Sequence, residues 1–121
     1  KRVTERLLDN IWSNLEWHNQ AKKEALNLYT KKGQPSEKRQ LTRLLGQISK
    51  DSRMPEDWTA FENTVWHNPG KQQTKLYCSK IDGTIIVIGV SSGKDHHERF
   101  DGGEILLKRY ETMRDIVRRA A

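Results

Sequence analysis

The segment 91–100 holds the densest group of side chains that could act as acids, bases or cations. Lys94, His96, His97 and Arg99 lie within six positions of the chain. Cleavage of RNA needs a base for the 2′-hydroxyl, an acid for the leaving 5′-oxygen and a cation for the charge developing on the phosphate. We therefore predict His96, His97 and Arg99 as catalytic and Lys94 as nucleic-acid-binding. The alternative is an exposed polar loop without a role, because adjacent histidines can point to opposite sides.

A second candidate is the segment 66–71, which contains a turn. His67 stands four positions before Lys71, and Asn-Pro-Gly between them is a turn signal. An aromatic ring next to a His and a Lys suits a nucleotide, with Trp66 stacking on a base. Tyr77, on the following predicted strand, could supply a hydroxyl to the same site. We predict His67, Lys71 and Tyr77 as catalytic and Trp66 as nucleic-acid-binding, and the alternative is a core Trp followed by an ordinary turn.

Other kinds of site lack their sequence signals. Asp95, Glu98 and Asp101 beside the two histidines could loosely mimic a metal site, but the last predicted helix adds no His or Asn as a further ligand. The glycine spacing of a phosphate-binding loop or of a dinucleotide-binding turn is also missing. Cys78 lies on the same predicted strand as Leu76, so we expect a buried, inert thiol rather than a nucleophile. We accordingly expect neither a metal nor another cofactor.

The excess positive charge lies in the N-terminal half of the chain. The formal net charge is +6, and residues 1–53 hold twelve Lys and Arg against six Asp and Glu, while residues 54–121 hold ten of each. A basic half favours an acidic partner such as RNA. We predict Lys38, Arg39 and Arg43, on the exposed face of a helix, as nucleic-acid-binding. The alternative is a solvated helical surface.

Helical periodicity accounts for most of the chain outside its middle. Apolar residues repeat at helical spacing over 4–32, and the pattern weakens around 18–23. A second helix is predicted from Ser36, where a capping residue precedes a strongly amphipathic stretch. A short third helix is predicted from Pro55, because Pro followed by two acidic residues suits a first helical turn. The last helix is predicted from Glu104, although its opening residues could equally begin a strand.

The clearest strand signals surround a two-residue turn. Residues 73–80 alternate in polarity, and Asp82-Gly83 then predicts a type I′ hairpin turn. Residues 84–90 are rich in β-branched side chains and apolar on both faces, which predicts a central strand covered on both sides. Their longest apolar run, Ile85 to Val90, is far too short to span a membrane.

These elements predict one α+β domain over residues 1–121. We expect N-terminal helices, a small antiparallel β-sheet with a central hairpin, and a C-terminal helix. The helical part is expected to cover about 1–62, and the sheet with the last helix about 63–121. The length of 121 residues fits one domain and leaves no room for two full cores.

The order of elements, the size, the basicity and the scattered His, Lys, Arg and Tyr residues resemble the barnase/colicin-like ribonuclease toxin domains. The resemblance implies metal-independent cleavage of RNA, often tRNA, and inhibition by an acidic immunity protein. It also implies a C-terminal toxin domain of a larger secreted bacterial competition protein, acting in the cytoplasm. In that group the sheet carries the active site, which implies roles for His67, Lys71, Tyr77, His96, His97 and Arg99. The predicted C-terminal helix departs from the group, in which a sheet often ends the domain.

Two further functions remain open at the level of sequence. The chain could be a non-catalytic nucleic-acid-binding module that holds phosphates with its basic helices. It could also be a protein-interaction domain of a larger assembly, with its charge serving solubility. Loss of cleavage on removal of a histidine indicates the enzyme. Loss of affinity on removal of Lys38, Arg39 or Arg43, with a steep dependence on salt, indicates the binding module.

Overall fold

A computed structural model of the chain describes residues 12–32, 35–51, 53–61, 64–69, 74–92, 100 and 103–120. Its elements, in chain order, are β1 (Glu16–Trp17), α1 (Asn19–Asn27), a π-helical turn (Leu28–Lys32), α2 (Pro35–Asp51), β2 (Thr59–Phe61), β3 (Val65–His67), β4 (Lys75–Ile81), β5 (Thr84–Ser91) and α3 (Glu104–Ala120). Within these residues, no helix is long and apolar enough to cross a membrane.

The strands of the described chain form one mixed sheet in the order β1-β5-β4-β3-β2. The pairs from β2 to β5 are antiparallel, whereas β1 runs parallel to β5, with Glu16 opposite Ile86 and Trp17 opposite Val87. The predicted α+β class with a C-terminal helix is confirmed. The predicted antiparallel sheet is present from β2 to β5, and β1 makes the whole sheet mixed because it adds a parallel strand from the part of the chain predicted to be helical.

The hairpin of β4 and β5 forms as its turn residues predict. Asp82 has a φ of 49° and Gly83 a φ of 84°, the two positive values that a type I′ turn requires. The β4–β5 register shifts between Tyr77 and Cys78, which pair with Gly89 and Val87, so Ile88 has no partner on β4. This bulge bends β5 close to its C-terminal end, which leads into segment 91–100, where catalytic residues are predicted.

The sheet separates two apolar cores. Ile85 and Val87 belong to the core that α1 and α2 cover, whereas Ile86 and Ile88 belong to the core that α3 covers. We call these two surfaces the α1/α2 face and the α3 face. Since β5 is buried on both faces, the prediction of a covered central strand is confirmed. The apolar stripe of α2 is also buried as predicted, at Leu41, Leu44, Leu45 and Ile48.

Two helix predictions fail because strand pairing overrides local signals. The long helix predicted over 4–32 is interrupted by β1, and α1 starts only after His18, whose Nδ1 accepts a hydrogen bond from the N–H of Gln20. The residues before position 12 lie outside the described chain. The short third helix predicted from Pro55 is a turn followed by β2, which pairs with β3. Propensity and capping are weak preferences that tertiary pairing can reverse. The last helix begins at Glu104, so its alternative start as a strand is excluded.

Candidate functional site

One end of the sheet gathers the ends of both segments that the sequence singles out. Antiparallel pairing places the end of β3, the start of β4 and the end of β5 at the same end of the sheet, which we call the loop end. There His67 lies opposite Tyr77, and Lys75 lies opposite Ser91. Segment 66–71 leaves the sheet at this end, and segment 91–100 does so as well. The topology therefore brings to one end of the sheet two segments that 19 residues separate in the sequence.

A buried asparagine fixes the connection between β3 and β4. The Asn68 side chain is fully buried; its Nδ2 donates to the carbonyl of Thr74 at 3.0 Å, and its Oδ1 accepts from the N–H of Leu76 at 2.8 Å. An amide is suited to this place because it offers a donor and an acceptor together. The two ends of the connection are thereby held at fixed positions next to His67.

His67 and Lys75 meet at one backbone carbonyl. The carbonyl oxygen of Asn68 lies 3.0 Å from Nδ1 of His67 and 3.2 Å from Nζ of Lys75. Because a carbonyl oxygen only accepts hydrogen bonds, Nδ1 carries the hydrogen, and the lone pair of the neutral ring lies on Nε2. That tautomer is the one that lets Nε2 act as a base.

Lys75 and Ser91 are site residues that the sequence analysis missed. Partial burial lowers the pKa of the Lys75 ammonium below its ordinary value. The side chain of Ser91 is 2% exposed, and its hydroxyl finds no hydrogen-bond partner in the structure as described. The sequence does contain one signal for Lys75, the alternation of side chains along a strand. Lys75 opens β4 two positions before Tyr77, so the two side chains lie on the same face of the sheet.

Tyr77 packs behind His67 rather than standing open to solvent. Its side chain is 2% exposed, and its ring centroid lies 5.7 Å from that of His67 and 5.0 Å from that of Phe100. The contact brings two predicted site residues together, with the tyrosine ring supporting the imidazole. Trp66 packs against the core on the α1/α2 face, so the sheet lies between it and His67.

The remaining predicted residues of the two segments lie outside the described chain. They are Lys71, Lys94, His96, His97 and Arg99. The described ends of segment 91–100 are nevertheless informative. Ser91 closes β5 at the loop end, and Phe100 returns to an edge-on contact with Tyr77. One end of the segment is thus fixed opposite Lys75, and the other end contacts Tyr77.

The first turns of α2 lie against the same end of the sheet. The N–H of Thr74 donates to Oε1 of Gln40 at 3.1 Å, and the Thr74 hydroxyl donates to the carbonyl of Glu37 at 3.4 Å. The predicted phosphate-binding residues stand on this helix. Lys38 is half-buried, and Arg39 and Arg43 are exposed. The basic surface of α2 therefore begins beside the β3–β4 connection.

A buried ion pair joins the two helical layers around the edge of β5. Nη1 and Nη2 of Arg109 each donate to a carboxylate oxygen of Glu24 at 2.9 Å. Nη1 also donates to the carbonyl of Ile88 at 3.0 Å, and Oε1 of Glu24 accepts from the N–H of Val90 at 3.0 Å. These backbone groups lie beyond the two residues of β5 that pair with β1. The ion pair therefore satisfies strand groups that the short β1 leaves unpaired.

The ion pair also borders the candidate site. The guanidinium carbon of Arg109 lies 5.3 Å from the ring centroid of Phe100. A side chain at Gly89 would be crowded here, since its Cβ would lie 3.0 Å from Leu106 and 3.2 Å from Phe100, and both side chains would have to shift slightly. His18 is nearby, and its pKa is lowered mainly by burial and further by the charge of Arg109, with Glu24 opposing. A contact chain thus runs from Arg109 through Phe100 and Tyr77 to His67.

Metal and thiol chemistry find little support in the residues with assigned positions. Among them, no three His, Cys, Asp or Glu side chains are grouped as a metal ion would need. Cys78 is fully buried, and burial raises the pKa of its thiol far above the ordinary value. The prediction of an inert thiol is consistent with both observations.

Comparisons of the chain with protein-family models, with curated proteins and with solved structures give no match. The resemblance to barnase/colicin-like toxin domains consequently stays a prediction. Function has to be argued from the loop end itself.

Proposed function

We propose that the protein is a metal-independent endoribonuclease whose active site lies at the loop end, with His67 as the general base. The observation that carries the proposal is the hydrogen bond between Nδ1 of His67 and the carbonyl of Asn68, 3.0 Å long. It orients the ring and leaves the Nε2 lone pair for a substrate proton. Asn68 is itself held by two buried hydrogen bonds, so the imidazole is positioned before the substrate arrives.

In the proposed reaction, Nε2 of His67 removes the proton of the ribose 2′-hydroxyl. The 2′-oxygen then attacks the adjacent phosphorus, and the bond to the 5′-oxygen breaks. A 2′,3′-cyclic phosphate and a free 5′-hydroxyl result. The leaving oxygen takes a proton from His96 or His97 in its imidazolium form, and Arg99 and Lys71 stabilise the charge on phosphate. No metal or other cofactor enters the scheme.

The basic surface of α2 supports RNA as the substrate class. Lys38, Arg39 and Arg43 stand on the helix whose first turns contact the β3–β4 connection. They would hold the backbone of a folded RNA such as tRNA while the loop end cuts it. The same basic surface fits an acidic inhibitor protein, which would compete with RNA for it.

The proposal is tested by incubating purified protein with total RNA and with tRNA in EDTA. We expect fragments that end in 2′,3′-cyclic phosphate, and we expect His67→Ala to lower the rate by about 100-fold or more, the usual contribution of a general base. His18→Asn is the matched control. It also removes a histidine, and Asn can replace His18 as the N-cap of α1. Absence of cleavage in EDTA and in magnesium would reject the enzyme.

The exposed positions of Arg39 and Arg43 also favour a second function, a non-catalytic RNA-binding module. It predicts RNA binding that weakens steeply with salt and survives His67→Ala. Intact RNA after binding, with affinity lost in Arg39→Gln and Arg43→Gln, would favour this module over the endoribonuclease.

A further inference from the structure

The hydroxyl of Ser91 lies buried at the loop end with no hydrogen-bond partner in the described structure. Buried polar groups are nearly always paired, so an exception needs a reason. The Ser91 backbone is already part of β5, and its side chain is 2% exposed. Its hydroxyl can both donate and accept, and none of the described residues pairs with it.

Lys75 lies on the same face of the sheet as this hydroxyl. The two residues are directly opposite in the β4–β5 register, and directly opposite side chains on one face lie about 5 Å apart at Cβ. Lys75 is half-buried, so part of its side chain is accessible to solvent. We call the pair the Lys75–Ser91 notch. It adjoins His67, whose Nδ1 shares the Asn68 carbonyl with the Lys75 ammonium.

We propose that the Lys75–Ser91 notch binds one phosphate group of the RNA strand. The Lys75 ammonium supplies charge and the Ser91 hydroxyl donates to a phosphate oxygen, a partner that the described residues do not provide. The inference rests on the proposed function, because it assigns the notch to the same substrate. Its role is to hold the strand so that a neighbouring 2′-hydroxyl meets His67.

The test uses ligands that cannot be cleaved. A 2′-deoxy tetranucleotide lacks the attacking hydroxyl, and inorganic phosphate reports on a free anion, so the two probes separate strand recognition from simple anion binding. Calorimetry on the full chain measures both. We expect tetranucleotide binding to weaken about tenfold in Ser91→Ala and in Lys75→Gln, as loss of one hydrogen bond to a charged group predicts. Lys75→Gln should also lower the slope of log K against log salt by about 0.7.

Lys80→Gln is the matched control, because Lys80 is an exposed lysine on the same strand near the hairpin turn. We expect it to leave affinity within about twofold, as a distant surface site should. The melting temperature supplies an independent readout. Ser91→Ala removes a hydroxyl that has no partner among the described residues, so it should leave the melting temperature unchanged or raise it while weakening ligand binding.

Each result decides a separate question. Unchanged tetranucleotide affinity in folded Ser91→Ala and Lys75→Gln overturns the notch even if RNA is cleaved. Weakened affinity in both, with no cleavage of RNA, supports the notch and rejects the endoribonuclease. Should Ser91→Ala fail to fold, the comparison of Lys75→Gln with Lys75→Arg decides, because only the charged variant should keep the salt slope. Binding of inorganic phosphate alone, with no tetranucleotide binding, rejects an RNA strand as the ligand.

Discussion

Removal of Arg109 should cost this protein a large part of its stability. In Arg109→Met, the carboxylate of Glu24, whose side chain is 5% exposed, loses both guanidinium hydrogen bonds. Breaking a buried ion pair by removing one partner typically costs about 3–5 kcal/mol. The total stability of a domain is about 5–15 kcal/mol, so the loss should be visible in any unfolding curve.

The double variant Glu24→Leu with Arg109→Met distinguishes the contribution of the ion pair from that of its hydrogen bonds to the backbone. It leaves no buried charge, and it orphans the N–H of Val90 and the carbonyl of Ile88, at about 1–3 kcal/mol each. We therefore expect a loss of about 2–6 kcal/mol, less than the roughly 6–10 kcal/mol expected if the two single losses were independent.

Urea unfolding followed by circular dichroism at neutral pH measures Arg109→Met, the single variant Glu24→Leu and the double variant. Arg118→Met is the control, because Arg118 is exposed on the same helix. We expect it to change stability by no more than about 0.5 kcal/mol. Single-variant losses below about 1 kcal/mol, or a double variant equal to the sum of the singles, would refute the reasoning.

Three further predictions concern the same end of the sheet. Gly89→Ala should destabilise by about 1–3 kcal/mol in thermal unfolding, since its Cβ would crowd Leu106 at 3.0 Å; an unchanged midpoint contradicts this. Asn68→Ala should cost about 2–4 kcal/mol in urea and speed amide exchange at Leu76, because two buried hydrogen bonds vanish; unaltered exchange would argue against it. The lowered pKa of His18 means that the unfolded chain binds its proton first, so stability falls as pH drops below about 6.5. His18→Asn should flatten that slope, and an unchanged slope excludes the assignment.

Much of the fold could be read from local pattern. The Asp82-Gly83 turn, the doubly apolar β5 and the amphipathic α2 and α3 are all as predicted, because each is specified by residues close together in the chain. β1 and β2 are different. Only two and three residues long, they exist because β5 and β3 offer them hydrogen-bond partners. The residues next to β1 and β2 in the sequence do not indicate this pairing.

The candidate site was only partly predictable for the same reason. His67 and Tyr77 could be named because their residue types suggest chemistry. Lys75 and Ser91 could not, since a lysine opening a strand and a serine closing one are ordinary until the register sets them opposite each other. Asn68 has the sequence signal of a turn residue, whereas its hydrogen bonds across the connection depend on the pairing of β3 with β4.

The sequence by itself determined the α+β class, the central hairpin, the C-terminal helix and the basic character of the N-terminal half. These depend on periodicity, turn chemistry and charge, which act over a few residues. The tertiary structure alone decided which groups meet: His67 with Lys75 at one carbonyl, and Glu24 with Arg109 across 85 positions of the chain. Such contacts depend on strand order and register, and a shift of one residue would turn Lys75 to the opposite face.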